Sequence, residues 1–221
     1  MKAVFTPLNI LSNTTITLRR LQSFRSNLWI LLTSRNPSSL TVLKEKGWKK
    51  LLGDLPRVCE PLIKEFYANA ILKNDYLDYW VRGHEFTLDV GDINDVLGQG
   101  DLDHDDFTPF KDRMISIETV QSCIGGAREG KCLNKTTFPL NLRCLTYIIL
   151  FNLYPVRKLT TINNARAIFL MELRERIYIN IGAHAFTIIT EATRTTSSAK
   201  LVLPSLIMRS FMKKVWRLHR I

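Results

Sequence analysis

The sequence predicts a mainly α fold, a single helical domain carrying one short β-hairpin, preceded by a poorly ordered N-terminal leader. Three observations carry that reading. Apolar residues return every three or four positions through most of residues 60–218, the spacing that lines one face of a helix. One segment sets aromatic and β-branched residues on both sides of a glycine-containing turn: Tyr79-Trp80-Val81, then Arg82-Gly83-His84, then Glu85-Phe86-Thr87-Leu88. With 46% hydrophobic residues and only 10 Gly and 8 Pro among 221, the chain can build one good core or two small ones, which excludes disordered, collagen-like and linker-like chains.

Residues 1–42 form the leader. It holds five basic groups (Lys2, Arg19, Arg20, Arg25, Arg35) and no acid, and is rich in Ser, Thr and Asn, a composition shared by organelle transit peptides and by plain unstructured leaders. The domain itself spans residues 43–221. Its first clear helix starts at Glu60-Pro61, where the missing proline N–H costs nothing, and aligns Leu62, Phe66 and Ala70. After the hairpin, Asp89 caps a short helix with Ile93, Val96 and Leu97 inward, and Gly98 supplies the left-handed stop. Residues 99–113 read as a solvated acidic loop that neutralises a basic neighbour or partner.

Four helices follow. Leu142 to Leu153 is apolar nearly all round, as a central buried helix is, and Pro155 ends it. Thr160 or Thr161 caps the next, which runs through Ile162, Ala165, Phe169 and Leu173 and closes with Arg174 and Arg176 at the negative end of its dipole. A third, Ile181 to Thr193, turns Ala185, Ile188, Ile189 and Ala192 inward. The last starts at Pro204 and is strongly amphipathic: Ile207, Phe211, Val215 and Leu218 make an apolar stripe, with Arg209, Lys213, Arg217 and Arg220 on the far side.

The formal charge of +11 is unevenly spread. Residues 75–106 hold ten acids against Arg82 alone, whereas residues 107–221 hold eighteen basic and six acidic groups. The molecule is bipolar, and its basic character concentrates in the C-terminal half.

Motifs that resemble chemistry lack the residues that chemistry needs. Gly125 to Cys132 fits the first seven positions of a phosphate-cradling loop, but Cys132 stands where a hydroxyl must hold magnesium; it reads as a flexible Gly-rich connection. Asp101, Asp103, Asp105 and Asp112 fall at calcium-loop positions, yet Asp106 replaces the required Gly and Asp112 the bidentate Glu. Cys59, Cys123, Cys132 and Cys144 are too few for a disulfide scaffold and, with His84, His104, His184 and His219, show no zinc spacing; Cys144 reads as a small core residue. No nucleophile elbow or His-Glu-x-x-His pair is present, and no apolar run reaches the roughly 18 residues that cross a bilayer. The expectation is therefore no catalytic residue, no metal ligand, no cofactor and no membrane partner.

Two blocks of sequence carry a family likeness. The first comprises Lys46-Gly47-Trp48-Lys49, Ile63-Lys64-Glu65-Phe66-Tyr67-Ala68-Asn69, Val81-Arg82-Gly83-His84-Glu85-Phe86 and Asp92-Ile93-Asn94-Asp95-Val96-Leu97-Gly98. The second comprises Asn152-Leu153-Tyr154-Pro155, Asn164-Ala165-Arg166-Ala167, Tyr178-Ile179-Asn180-Ile181-Gly182 and Leu203-Pro204-Ser205-Leu206-Ile207. In this order they resemble the Putative plant transposon protein domain, which accompanies Athila-type retroelements, and the hairpin-then-helix segment is distantly similar to the plant mobile domain.

The resemblance covers residues 43–212. It implies a retrotransposon-derived protein with no known reaction, in which Trp48, Phe66, Tyr67, Trp80 and Phe86 are core residues and Gly47, Gly83, Gly98 and Gly182 are turn points. The expected function is that of a non-catalytic module that binds nucleic acid or other element-encoded proteins. Its nucleic-acid contacts would be Arg209, Lys213, Lys214, Arg217 and Arg220, with Trp216 the one aromatic among them. The alternatives are an enzyme of DNA transposition by metal-dependent strand transfer, or an unexpressed element relic. The expected location is intracellular, in nucleus or cytoplasm, with organelle import by the leader as the other option.

Overall fold

The structure is a computed structural model that describes residue 48 and residues 58–99, 107–153, 160–194 and 202–218. The leader, residues 100–106 of the acidic loop with Asp101, Asp103 and Asp105, and Arg220 all lie outside the described residues.

Helix α1 spans Glu60–Asn69, with Pro61 in its first turn as the sequence predicts, and buries Ile63 and Phe66. Strands β1 (Ile71–Lys73), β2 (Tyr76–Val81) and β3 (His84–Leu88) follow as an antiparallel sheet in the order β1-β2-β3. The β2–β3 register pairs Leu77 with Leu88, Tyr79 with Phe86 and Val81 with His84, so the turn is two residues long. Arg82 and Gly83 both take left-handed φ values, 55° and 78°, which give a turn the twist that the strands require. Helix α2 (Val90–Leu97) opens on a capping box: the Asp89 carboxylate accepts from Asp92 N, and Asp92 accepts from Asp89 N. It ends at Gly98, whose φ of 74° is the left-handed stop that the sequence predicts.

Helix α3 (Ile117–Ile124) is capped by Ser116, whose hydroxyl accepts from Thr119 N at 3.2 Å. Strands β4 (Ala127–Glu129) and β5 (Cys132–Asn134) form a hairpin, and a 3-10 turn, Lys135–Thr137, leads to helix α4 (Leu140–Asn152). Strand β6 (Thr161–Asn163) completes a second antiparallel sheet in the order β4-β5-β6, with Leu133 opposite Ile162. Helices α5 (Asn164–Arg174), α6 (Ile181–Arg194) and α7 (Pro204–Leu218) end the described chain. Asn163 caps α5 and Asn180 caps α6, each side-chain oxygen accepting an N–H three residues on.

The fold is thus mixed α/β, with two three-stranded sheets among seven described helices, and the expectation of a mainly α domain with one hairpin is corrected. Four of the six strands are three residues long, too short for an alternating pattern to rise above the background. The Gly-rich connection is one of the missed elements: Gly125, Gly126 and Gly130 have positive φ, and the last lies in the β4–β5 turn. Thr161 lies in a strand, so the cap of α5 falls at Asn163, and Arg176 lies beyond the helix end with φ 60°. Helix α3 had no counterpart in the sequence reading.

The inner face of the first sheet carries Leu77, Tyr79, Val81, Phe86 and Leu88. It meets α1 through an edge contact of Tyr79 with Phe66 at 4.8 Å and α7 through one of Phe86 with Phe211 at 5.2 Å. Each such ring contributes about 1.5–3 kcal/mol when fully buried. Trp48, Phe66 and Phe86 are core residues as expected and Tyr67 is half-buried, but Trp80 is 50% exposed. Strand alternation is the reason: with Tyr79 and Val81 inward, Trp80 must face out.

Gly182 is likewise not a turn point. It lies in the first turn of α6, where α6 crosses α2 so closely that an added Cβ would fall 2.0 Å from Asn94 Oδ1. Residues 107–113, expected as solvated loop, instead strap α5 and α6: Phe110 is buried, Arg113 pairs with the buried Glu172 of α5, and Lys111 pairs with Glu191 of α6. The acids of the loop had hidden two phenylalanines that need a core.

Candidate nucleic-acid interface

Four of the five nominated contact residues fall in α7, a helix without an acid. Pro204 begins it after Leu203, whose backbone is left-handed at φ 46°. Leu206, Ile207, Met208 and Ser210 are buried, and Phe211 and Val215 pack against the core, so the predicted apolar stripe is the docked face through Val215. The Tyr67 hydroxyl ties the incoming chain by donating to the Val202 carbonyl at 2.7 Å. On the outer side Met212 and Trp216, one turn apart, are 50% and 61% exposed.

The cations of α7 are arranged against α2. Lys213 Nζ pairs with the Asp95 carboxylate, and Lys214 Nζ donates to Asp92 Oδ2 at 2.5 Å. The second pair is the more enclosed, both side chains being 18% exposed, and its carboxylate also closes the α2 capping box. Arg209 is half-buried with a partner of its own. Arg217 lies in the last turn of the helix. Sequence reasoning missed Asp92 and Asp95. The sign reversal across residues 75–106 was the available signal, and it was assigned to the loop after α2 rather than to α2 itself.

Other sequence candidates resolve into structural roles. His184 is buried between the rings of Phe107, Phe110 and Phe169, and burial together with the nearby Arg113 charge pushes its pKa down to about 3. Lys135 is buried with its ammonium 3.7 Å from the centre of the Tyr147 ring, and burial lowers its pKa to about 8. All four cysteines are free thiols; Cys144 is half-buried against the core and Cys123 is exposed. Among the described residues no three His, Cys, Asp or Glu side chains gather as a metal site, and no helix is long and apolar enough to cross a membrane. A cleft of about 380 Å³ between α3 and α4 is lined by Ser122, Cys123, Asn141 and Arg174, the last already donating to the Cys123 carbonyl.

No curated protein and no solved structure gives a significant match to the chain. Residues 44–214, most of the chain, match a protein family described as Putative plant retrotransposon-related domain. That range takes in both sequence blocks, both sheets and α7 as far as Lys214, and the chain belongs to this plant retrotransposon-related family.

Proposed function

We propose that this retrotransposon-derived domain is a non-catalytic module that binds nucleic acid through α7. The observation that carries the reading is the composition of that helix: Arg209, Lys213, Lys214 and Arg217 without an acid, next to an exposed indole at Trp216. Such a surface contacts phosphates irrespective of sequence and stacks a base on its one aromatic ring. The non-catalytic part is supported by His184 and Lys135, two of the most deeply buried titratable side chains described, which pack against aromatic rings. An intracellular location, nuclear or cytoplasmic, accompanies this reading, and imaging of the tagged full chain tests it.

The main test is fluorescence anisotropy with mixed-sequence single- and double-stranded oligonucleotides. Binding at about 50 mM salt that weakens steeply by about 200 mM is the expected result, with further loss on Trp216→Ala and Arg217→Ala. Absence of binding at the lower salt would end the reading. A second reading, docking of another element-encoded protein, is favoured by the exposed Met212–Trp216 pair. Its signature is a partner interaction that survives high salt and is lost in Met212→Ala.

A further inference from the structure

Resting on the nucleic-acid reading, the pairing of α7 with α2 points to a built-in brake. We infer that Asp95 occupies the place of a phosphate against Lys213 and so holds this contact residue in reserve until nucleic acid displaces it. The two ion pairs between these helices differ in a way that separates brake from scaffold. Asp92 cannot move freely, because the same carboxylate oxygen that accepts from Lys214 also accepts the Asp89 N–H at 3.3 Å and closes the cap of α2. Lys214 is therefore a tie between helices. Asp95 lies one turn further along α2, facing solvent: its side chain is 50% exposed and that of Lys213 38%.

An ion pair this wet is worth only about 0.2–1 kcal/mol, so a phosphate, which offers the same lysine an equally charged acceptor, can exchange for the carboxylate. The exchange breaks the Lys213–Asp95 pair and forms one phosphate contact, with no proton transferred. The Asp95 charge also stays near the nucleic acid, where it repels phosphate and sets the affinity below what the α7 cations alone would give.

The experiment is a double-mutant cycle on the full chain, read by anisotropy with the tighter-binding of a single-stranded and a double-stranded 20-mer. Asp95→Asn is expected to tighten binding roughly two- to fivefold at about 100 mM salt, the range set by an exposed pair. The slope of log affinity against log salt should steepen by up to about 0.9, one phosphate's worth on duplex. Lys213→Ala should cost more in the Asp95→Asn background than in the unmodified protein. Glu129→Gln removes the same unit of charge from strand β4 of the second sheet, whereas α7 packs on the first through Phe211, and serves as the control for net charge.

If both the unmodified protein and Asp95→Asn fail to bind, the nucleic-acid reading falls and the brake with it. If both bind but Asp95→Asn is no tighter than Glu129→Gln, the brake alone is refuted. Because Asp95 is half exposed and Asp95→Asn keeps the shape of the side chain, circular dichroism should show both variants folded.

Discussion

Gly182 leaves no room for a side chain. Gly182 sits in the first turn of α6 against Asn94 of α2, and replacing its hydrogen by a methyl group puts carbon 2.0 Å from Oδ1, 2.6 Å from Cγ and 3.1 Å from Nδ2 of that side chain. Since ordinary contacts lie near 3.5 Å, the amide would have to retreat by roughly 1.5 Å. Asn94 is fully buried, so the amide can retreat only by pushing on its packed neighbours, although neither Nδ2 nor Oδ1 has a hydrogen bond to break. Overpacking of this kind costs about 1–3 kcal/mol, and the upper end applies here; better helix propensity returns about 1 kcal/mol. Gly182→Ala should therefore destabilise by about 2 kcal/mol and lower Tm by roughly 4–8 °C.

Asn94→Ala removes the obstacle together with an unsatisfied buried amide, so in that background the same Gly182→Ala should stabilise by about 1 kcal/mol. The coupling between the two sites is then about 3 kcal/mol, well above the few tenths expected of independent positions. Urea denaturation of the four proteins, with m-values compared, measures it directly. Equal effects of Gly182→Ala in both backgrounds would refute the close approach of α2 and α6.

Three further outcomes follow from buried and capping groups. His184 is held neutral, with its pKa depressed from 6.5 to about 3, so stability present above pH 6.5 is lost as pH falls toward 3. Between pH 6.5 and 5 the loss should be about 2 kcal/mol in denaturant titrations, and His184→Phe should abolish that part of the slope. Lys135 acts in the same direction in a higher pH window: with its pKa lowered from 10.5 to about 8, the charged form strains the fold below pH 8 and the strain is relieved as pH rises toward 10.5. Lys135→Met should raise stability at pH 7, by at most about 3 kcal/mol, and flatten the alkaline rise; an unchanged pH profile would mean the ammonium is well solvated. Asp89→Ala, which opens the α2 capping box, should cost about 1 kcal/mol in thermal or urea unfolding without abolishing the fold.

What could be read from the chain follows from how local each signal is. Caps and stops are local, so Asp89, Gly98, Pro61 and Pro204 were placed correctly from their neighbours alone. Long amphipathic stripes are nearly as local, and α6 and α7 begin at the predicted residues. The three-residue strands of the second sheet were invisible at that length, and β6 owes its existence to β5, twenty-nine residues earlier, through Ile162 and Leu133. Nothing within Thr161–Asn163 distinguishes a strand from a helix start until that partner is present.

The candidate interface divides the same way. That α7 is basic, apolar on one side and free of acids is legible in the segment, since a 3.6-residue period and side-chain charge are local properties. The family is legible in the same way, its ordered motifs being written along the chain. That Lys213 and Lys214 lie over Asp95 and Asp92, that Gly182 is a crossing point rather than a turn, and that the strap of residues 107–113 is anchored in the core emerge from the folded arrangement alone. The physical reason is distance: a charge acts over about one Debye length, roughly 10 Å, and a methyl group over less than 4 Å, so which residues share those few ångströms is set by folding and not by their order in the chain.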